Sequence, residues 1–322
     1  MAKRNNRIHV YLLVGFLLCV FIYLVYCLSH SKHNTEKFTV SVHEKELDEF
    51  SMGKSDHSSI PNIIWTFWEG DNNIVVNKCI ESWKYYNPGY DIRILNKSNY
   101  SRYIDVNIDS IPHSKDFTAR YSDYIRCLVL AKYGGFWIDA SIICHHPFSW
   151  VHGVQNNTHA ELVGYYIGDV LDNKYPVIEN WFFACVPGSV FMNDWSDEFL
   201  STQNHKTIQN YLDHVDSQQI NTSKVQSPEY LTMHISAQKI LQKNSDKYRL
   251  CLFKAESGPF YYLSQSNWDN EQAIKHLTDT NTCANYYKFT FIKLRGSDRH
   301  ILEKYDTKTM DNAFSNIVAP RT

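Results

Sequence analysis

The sequence predicts an α/β fold, one mixed and mostly parallel sheet with helices on both faces, preceded by a single N-terminal transmembrane helix. Three observations predict it. Short β-rich segments alternate with stretches of helical spacing from residue 60 to residue 294. A strand, a helix and a second strand succeed one another over residues 60–95, the span of one βαβ unit. An uncharged run, Val10 to Leu28, stands close to the start of the chain.

At about 1.5 Å per residue that run spans roughly 28 Å, close to the ~30 Å hydrocarbon core of a bilayer. Lys3, Arg4 and Arg7 precede it, and no acidic residue occurs before Glu36. The positive-inside rule then keeps residues 1–9 cytosolic and sends the rest of the chain across. The run is longer than the apolar region of a cleaved signal peptide, and Tyr26-Cys27-Leu28-Ser29 is a poor cleavage site. Residues 10–28 therefore read as an uncleaved signal-anchor. Residues 29–59 are polar and lack any period, which reads as a stem, and 60–322 is the globular domain. The expected placement is a single-pass type II protein of the Golgi membrane, with its domain in the lumen.

The elements follow in order. Asn62 to Trp68 (NIIWTFW) is a buried strand, and Cys79 to Tyr86 has helical spacing that stops at Asn87-Pro88-Gly89. Residues 91–95 (DIRIL) form the second strand, parallel to the first. A second helix runs from Asp116 to Lys132, with Tyr121, Ile125, Leu128, Val129 and Lys132 on one stripe, and Tyr133-Gly134-Gly135 ends it. Phe136-Trp137-Ile138 is a short strand that leads directly into Asp139. Strands are expected at 161–166, 181–186, 249–255 and 286–294, and helices at 189–202 and 228–242.

Composition narrows the function. Lys+Arg is 32 against 34 Asp+Glu, so there is no basic excess for a phosphate backbone and nucleic acid is not an expected partner. Aromatic residues make up 15% of the chain, a proportion that suits either stacking on sugar rings or an aromatic core. Cys19 and Cys27 lie in the membrane run. The other six cysteines form no C-x-x-C pair, so a zinc ribbon or redox motif has no support, and Cys127 reads as a buried thiol inside a helix. Sequons at Asn96, Asn99, Asn156 and Asn221 are about as many as chance supplies; they permit glycosylation without arguing for it.

The stretch from Ala119 to Cys144 carries the chemistry. Asp123 and Arg126 are neighbours on one helix face. The double glycine lets the backbone approach another group closely. Asp139 stands at the C-terminal end of a strand, the edge where open α/β sheets bind ligands. Each part alone has an ordinary reading: a solvated ion pair, a helix cap, a loop residue. Their joint occurrence suits a phosphorylated ligand with a divalent cation. His145-His146 invites a metal site, but adjacent strand residues point to opposite faces and do not share one ion. Trp65, Phe67 and Trp68 offer rings for a nucleobase, or for the core.

Ser122-Asp123-x-x-Arg126, an apolar helix, and Tyr133-Gly134-Gly135-x-Trp137-x-Asp139 together resemble the sugar-transferring family that carries the DXD motif. That family includes the yeast outer-chain initiating α-1,6-mannosyltransferase and, closer in detail, the capsular polysaccharide synthesis proteins. Ile60-Pro61-Asn62-Ile63-Ile64-Trp65 is similar to the family's opening strand and Glu179 to Ala184 to its mid-domain strand. Leu231-Thr232-Met233-His234 and Lys293-Leu294 resemble later landmarks. The resemblance implies a GT-A type, Rossmann-like glycosyltransferase that uses a nucleotide-diphosphate sugar, transfers to a glycan acceptor and retains anomeric configuration. By position, Asp123 and Arg126 would contact the donor's sugar or diphosphate. Tyr133, Gly134, Gly135 and Trp65 would line the nucleotide. Asp139 would be the first carboxylate of DXD and the main catalytic group with Arg126, holding Mn²⁺ or Mg²⁺. The second DXD carboxylate is replaced by Ser141, a weaker cation ligand, so the metal would bind loosely or be replaced by a basic side chain, with Lys293 the candidate at the diphosphate. Ser141 also supports an alternative, a glycan-binding protein without turnover. A glycoside hydrolase would need a second acid beside Asp139, and the motif holds none.

Overall fold

The computed structural model describes residues 38–39, 58–70, 72–171 and 175–315. The expected tail, signal-anchor and most of the stem lie outside them. Among the described residues no helix is long and apolar enough to cross a membrane.

In chain order the elements are β1 (Phe38–Thr39), β2 (Ile63–Phe67), α1 (Ile74–Tyr86), β3 (Asp91–Leu95), α2 (Thr118–Tyr133), β4 (Gly135–Ile138), β5 (Ile142–Cys144), α3 (Ser149–Thr158), β6 (Leu162–Leu171) and β7 (Tyr175–Cys185). They continue with α4 (Val190–Leu200), α5 (Ile208–Ser217), α6 (Thr232–Asn244), β8 (Leu250–Lys254), α7 (Tyr261–Ser264), α8 (Asn270–Thr278), β9 (Phe291–Lys293), α9 (Gly296–Leu302) and α10 (Thr307–Ala313). Seven strands form one sheet in the order β1-β8-β6-β7-β4-β2-β3. From β2 onward, β2–β3, β2–β4 and β6–β8 pair in parallel, while β4–β7 and β6–β7 are antiparallel; β1 adds an antiparallel edge on β8.

The predicted βαβ unit forms in register, Ile63 opposite Asp91 through Phe67 opposite Leu95. Its helix begins five residues earlier than the spacing suggests. Asn73 caps it, accepting from the backbone N–H groups of Val75 and Val76, and the β-branched Ile74-Val75-Val76 run hides a helical start. Two other expectations are corrected. The strands at 161–166 and 181–186 belong to a longer hairpin, β6 and β7. The strand expected at 286–294 shrinks to Phe291–Lys293 and joins no main sheet: it pairs with β5 in a separate two-stranded ribbon, Ile142 opposite Lys293.

Strand alternation divides the core. Phe136 and Ile138 face one cluster with Val76, Trp83, Phe182 and Phe291. Trp137 faces the other with Trp65, Tyr124, Phe183 and Trp195. Both sheet faces are thus covered, which makes the strand ends the place for a ligand. The six described cysteines are free and buried, as expected for Cys127.

The double glycine is a packing device. Gly134 caps α2 through its N–H to the Leu130 carbonyl, with φ +63°. A Cβ there would lie 2.6 Å from Pro187 N and 2.8 Å from Cys185 O. On Gly135, at φ +93°, a Cβ would meet the Ile63 carbonyl at 2.7 Å. Backbone neighbours cannot swing aside, so Gly134→Ala should cost about 3 kcal/mol or more, read as a lower midpoint in denaturant unfolding.

Candidate active site

Asp139 follows β4 and extends its ladder by one bond, its N–H donating to the Trp181 carbonyl at 2.9 Å. Its side chain points to the Trp137 side of the sheet, where α2 packs. Oδ1 accepts from Arg126 Nη2 and from Trp137 Nε1, both at 3.0 Å. Oδ2 accepts from Lys293 Nζ at 3.0 Å. A quarter of the Asp139 side chain stays open, whereas Arg126 and Lys293 are nearly closed off.

Each partner is itself fixed. Arg126 Nη1 bonds Asp123 Oδ1 at 2.9 Å, Nη2 reaches Ser122 Oγ at 3.3 Å, and the guanidinium lies 4.8 Å from the Trp137 ring centre. Lys293 stands at the end of β9. The β5–β9 ribbon folds back beside β4 and carries Lys293 onto Ser141 Oγ at 2.9 Å, while Ser141 donates to the Leu294 carbonyl. Asp123, Arg126, Asp139 and Lys293 thus make a row of alternating charge with its one opening at Asp139.

The row sets the carboxyls apart. Burial alone would raise Asp139, but Lys293 and then Arg126 outweigh it and hold the carboxyl below its usual range. Asp123 goes the other way: burial raises it against the pull of Arg126 and His234.

The residues as they stand do not fit a divalent cation on Asp139 and Ser141; of the outcomes expected for a site with Ser141, the arrangement suits replacement of Mn²⁺ or Mg²⁺ by Lys293. Both Asp139 oxygens already take donors, two of them cationic, and Ser141 Oγ is committed to Lys293 and Leu294. An ion on Asp139 would stand about 4 Å from each cation, a repulsion on the order of 8 kcal/mol apiece at an effective dielectric near 20. Lys293 would have to leave first. Among the described residues no group of three or more His, Cys, Asp or Glu is arranged for a metal. The histidine pair splits as expected: burial pushes His145 down to about 4, and His146 turns outward to the Tyr287 carbonyl at 2.7 Å.

The structure brings together Asp123, Arg126, Asp139, Ser141 and Lys293. It does not bring Trp65, Tyr133, Gly134 or Gly135 to them. Gly135 and Asp139 are four residues apart on an extended strand, about 13 Å. Trp65 is fully buried; its Nε1 donates to the Gly134 carbonyl at 3.0 Å and its ring stacks on Tyr133 at 5.4 Å. Trp65 stands mid-strand beside Trp137 in the β2–β4 pair, Tyr133, Gly134 and Gly135 lie where α2 passes into β4, and their expected place at the nucleotide is not part of the charged row. Trp68, just past β2, is only partly buried and carries the Arg299 guanidinium 5.0 Å from its ring centre.

One part of the site escaped sequence reasoning. Between the pairs Gly164–Phe183 and Tyr166–Ile178, β6 has one residue and β7 has four, Glu179 to Phe182. The excess on β7, Glu179-Asn180-Trp181, is a bulge, a device that re-aims side chains beside functional sites. Asn180 Nδ2 donates to Asp123 Oδ1 at 3.1 Å, and Glu179 lies 3.6 Å from His234. A separate groove of about 720 Å³, lined in part by Gln155, Glu161, Pro187 and Arg249, lies at the opposite edge of the sheet, away from this row.

The protein is thus an α/β protein whose sheet fixes a carboxylate between two cations at its strand ends. The chain belongs to the capsular polysaccharide synthesis protein family, which matches residues 25–305. Among solved structures it is similar to the PaToxG glycosyltransferase at 12% identity, covering 81% of this chain and 87% of that one, with a TM-score of 0.38. It is also similar to a glycosyltransferase involved in glycosylation of the major capsid of PBCV-1 at 10% identity, covering 75% and 96%, with a TM-score of 0.36. No curated protein matches it.

Proposed function

We propose that the chain is a glycosyltransferase that moves a sugar from a nucleotide-diphosphate donor to a glycan acceptor, with retention. The reading rests on family membership, on the Asp123…Asp139 motif, and above all on one observation: Asp139 bridges Arg126 and Lys293 at the strand ends. In this reading Arg126 and Lys293 stabilise the negative charge that builds on the leaving diphosphate, and Asp139 holds both cations in place before the donor arrives. Its open side accepts a hydroxyl of the donor sugar. Fixed charges need no reorganisation during transfer, which is where such an arrangement gains rate. Retention and the kinship with the yeast mannosyltransferase rest on the motif alone. Anchoring through residues 10–28, with the domain in the Golgi lumen, rests on the apolar run and the cations before it.

Incubation of the full-length protein with a panel of nucleotide sugars and mixed glycans tests the assignment. Release of nucleoside diphosphate is the expected result, and it persists in excess EDTA because Lys293 stands where an ion would bind. A second reading, glycan binding without turnover, draws on Ser141 in place of a carboxylate. Glycan binding with no diphosphate release from any donor would favour it.

A further inference from the structure

The β7 bulge and the segment before α6 leave one surface unexplained. Phe117 and Tyr230 are 41% and 49% exposed, although both are large aromatic residues. Their rings meet edge to face, centroids 5.5 Å apart at 83°. They are held there. Arg120 is almost fully buried, sits 5.0 Å from the Phe117 ring centre, bonds Asp116 at 2.8 Å and donates to the Glu229 carbonyl. One guanidinium therefore ties the start of α2 to the approach to α6.

Tyr230 leads into α6, whose Met233 and His234 meet the β7 residues Asn180 and Glu179. Burial, and then the carboxylates of Asp123 and Asp139, push the Tyr230 phenol up. Four residues further on, His234 meets the bulge at Glu179, and its Nδ1 is buried without a partner among the described residues. Met233 Sδ touches Asn180, which holds Asp123. Contacts through Met233 and Asn180 thus link α6, whose approach carries Tyr230, to Asp123 of the row. The cations nearest those rings are already paired, Lys115 with Asp109 at 3.2 Å and Arg120 with Asp116 at 2.8 Å, and the Glu229 side chain is exposed.

We infer that Phe117 and Tyr230 form the acceptor subsite and seat an uncharged pyranose ring, with its reacting end toward Asp139. Flat aromatic faces take up the apolar face of a sugar ring while its hydroxyls stay hydrogen-bonded. With Lys115 and Arg120 already paired, a uronate or other anionic sugar gains no counter-ion from either of them. The inference rests on the transferase reading and adds the acceptor's class and place.

The test uses full-length protein titrated calorimetrically with neutral methyl pyranosides, their dimers, and methyl glucuronide. A neutral pyranoside should bind, and Phe117→Ala/Tyr230→Ala should weaken it by about tenfold or more. Tyr230→Phe keeps the ring and should stay within about threefold. Both rings are at the surface, so the double variant should keep the wild-type unfolding midpoint, and a nucleotide sugar should still raise that midpoint. Unchanged pyranoside affinity in the double variant, tighter binding of the glucuronide, or no neutral pyranoside binding at all would overturn the subsite. The transferase reading fails separately, if no nucleotide sugar shifts the midpoint of the wild type.

Discussion

Asp139→Asn should lower sugar transfer by about 10²–10³-fold while the protein keeps its fold. The amide keeps the size of the carboxylate but loses the charge that aligns Arg126 and Lys293, each 3.0 Å away. The same variant has a signature in acid. The Asp139 carboxyl is held below its ordinary value of 3.8, so its stabilising contribution is complete above that pH and is lost as pH falls through the lowered value. Asp139→Asn should therefore show a flatter loss of stability below about pH 4 than the wild type, in urea unfolding across that range. Asp123 works in the opposite sense. Its raised carboxyl disfavours the charged folded state at neutral pH, and that penalty is relieved as pH falls. Near-normal transfer by Asp139→Asn would remove the proposed site.

The second large effect is expected at Lys293. Lys293→Ala should lower transfer by about 10²-fold and donor affinity by about tenfold or more, because it removes one of the two cations at the row's open end. It also exposes what the wild type hides. With the ammonium gone, Asp139 Oδ2 and Ser141 Oγ are both released, and two hard oxygens face one gap. Added Mn²⁺ should then restore part of the lost activity in Lys293→Ala and leave the wild type unchanged. Lys293→Arg should retain more activity than Lys293→Ala without any response to metal. A wild type that is silent in EDTA and revived by Mn²⁺ would contradict the role given to Lys293.

The parts legible in the sequence are those that local chemistry dictates. The DIRIL strand lies at Asp91–Leu95 as expected, and α2 differs from its expected span by two residues at its start and one at its end. Asp123, Arg126 and Asp139 come together because a helix, a tight glycine cap and a four-residue strand leave little freedom between them. Lys293 was placed at the diphosphate by position alone; what the sequence could not show is the ribbon that carries it 154 residues back onto Asp139. Tyr133, Gly134 and Gly135 stand apart from the row because an extended strand separates its two ends, and Trp65 does so because its ring is fully buried against Tyr133. Glu179, Asn180 and His234 stand in the sequence only as parts of family landmarks, without a role at the row, for a different reason. A bulge is a mismatch between two strands, and one strand's sequence carries no record of the register of its neighbour.

The most direct test of the central claim is thermal unfolding of the full-length protein with a panel of nucleoside diphosphates and nucleotide sugars, in EDTA, for the wild type, Asp139→Asn and Lys293→Ala. At least one donor should raise the wild-type midpoint and leave both variants almost unmoved. A panel that shifts none of the three proteins, or all three equally, would contradict it.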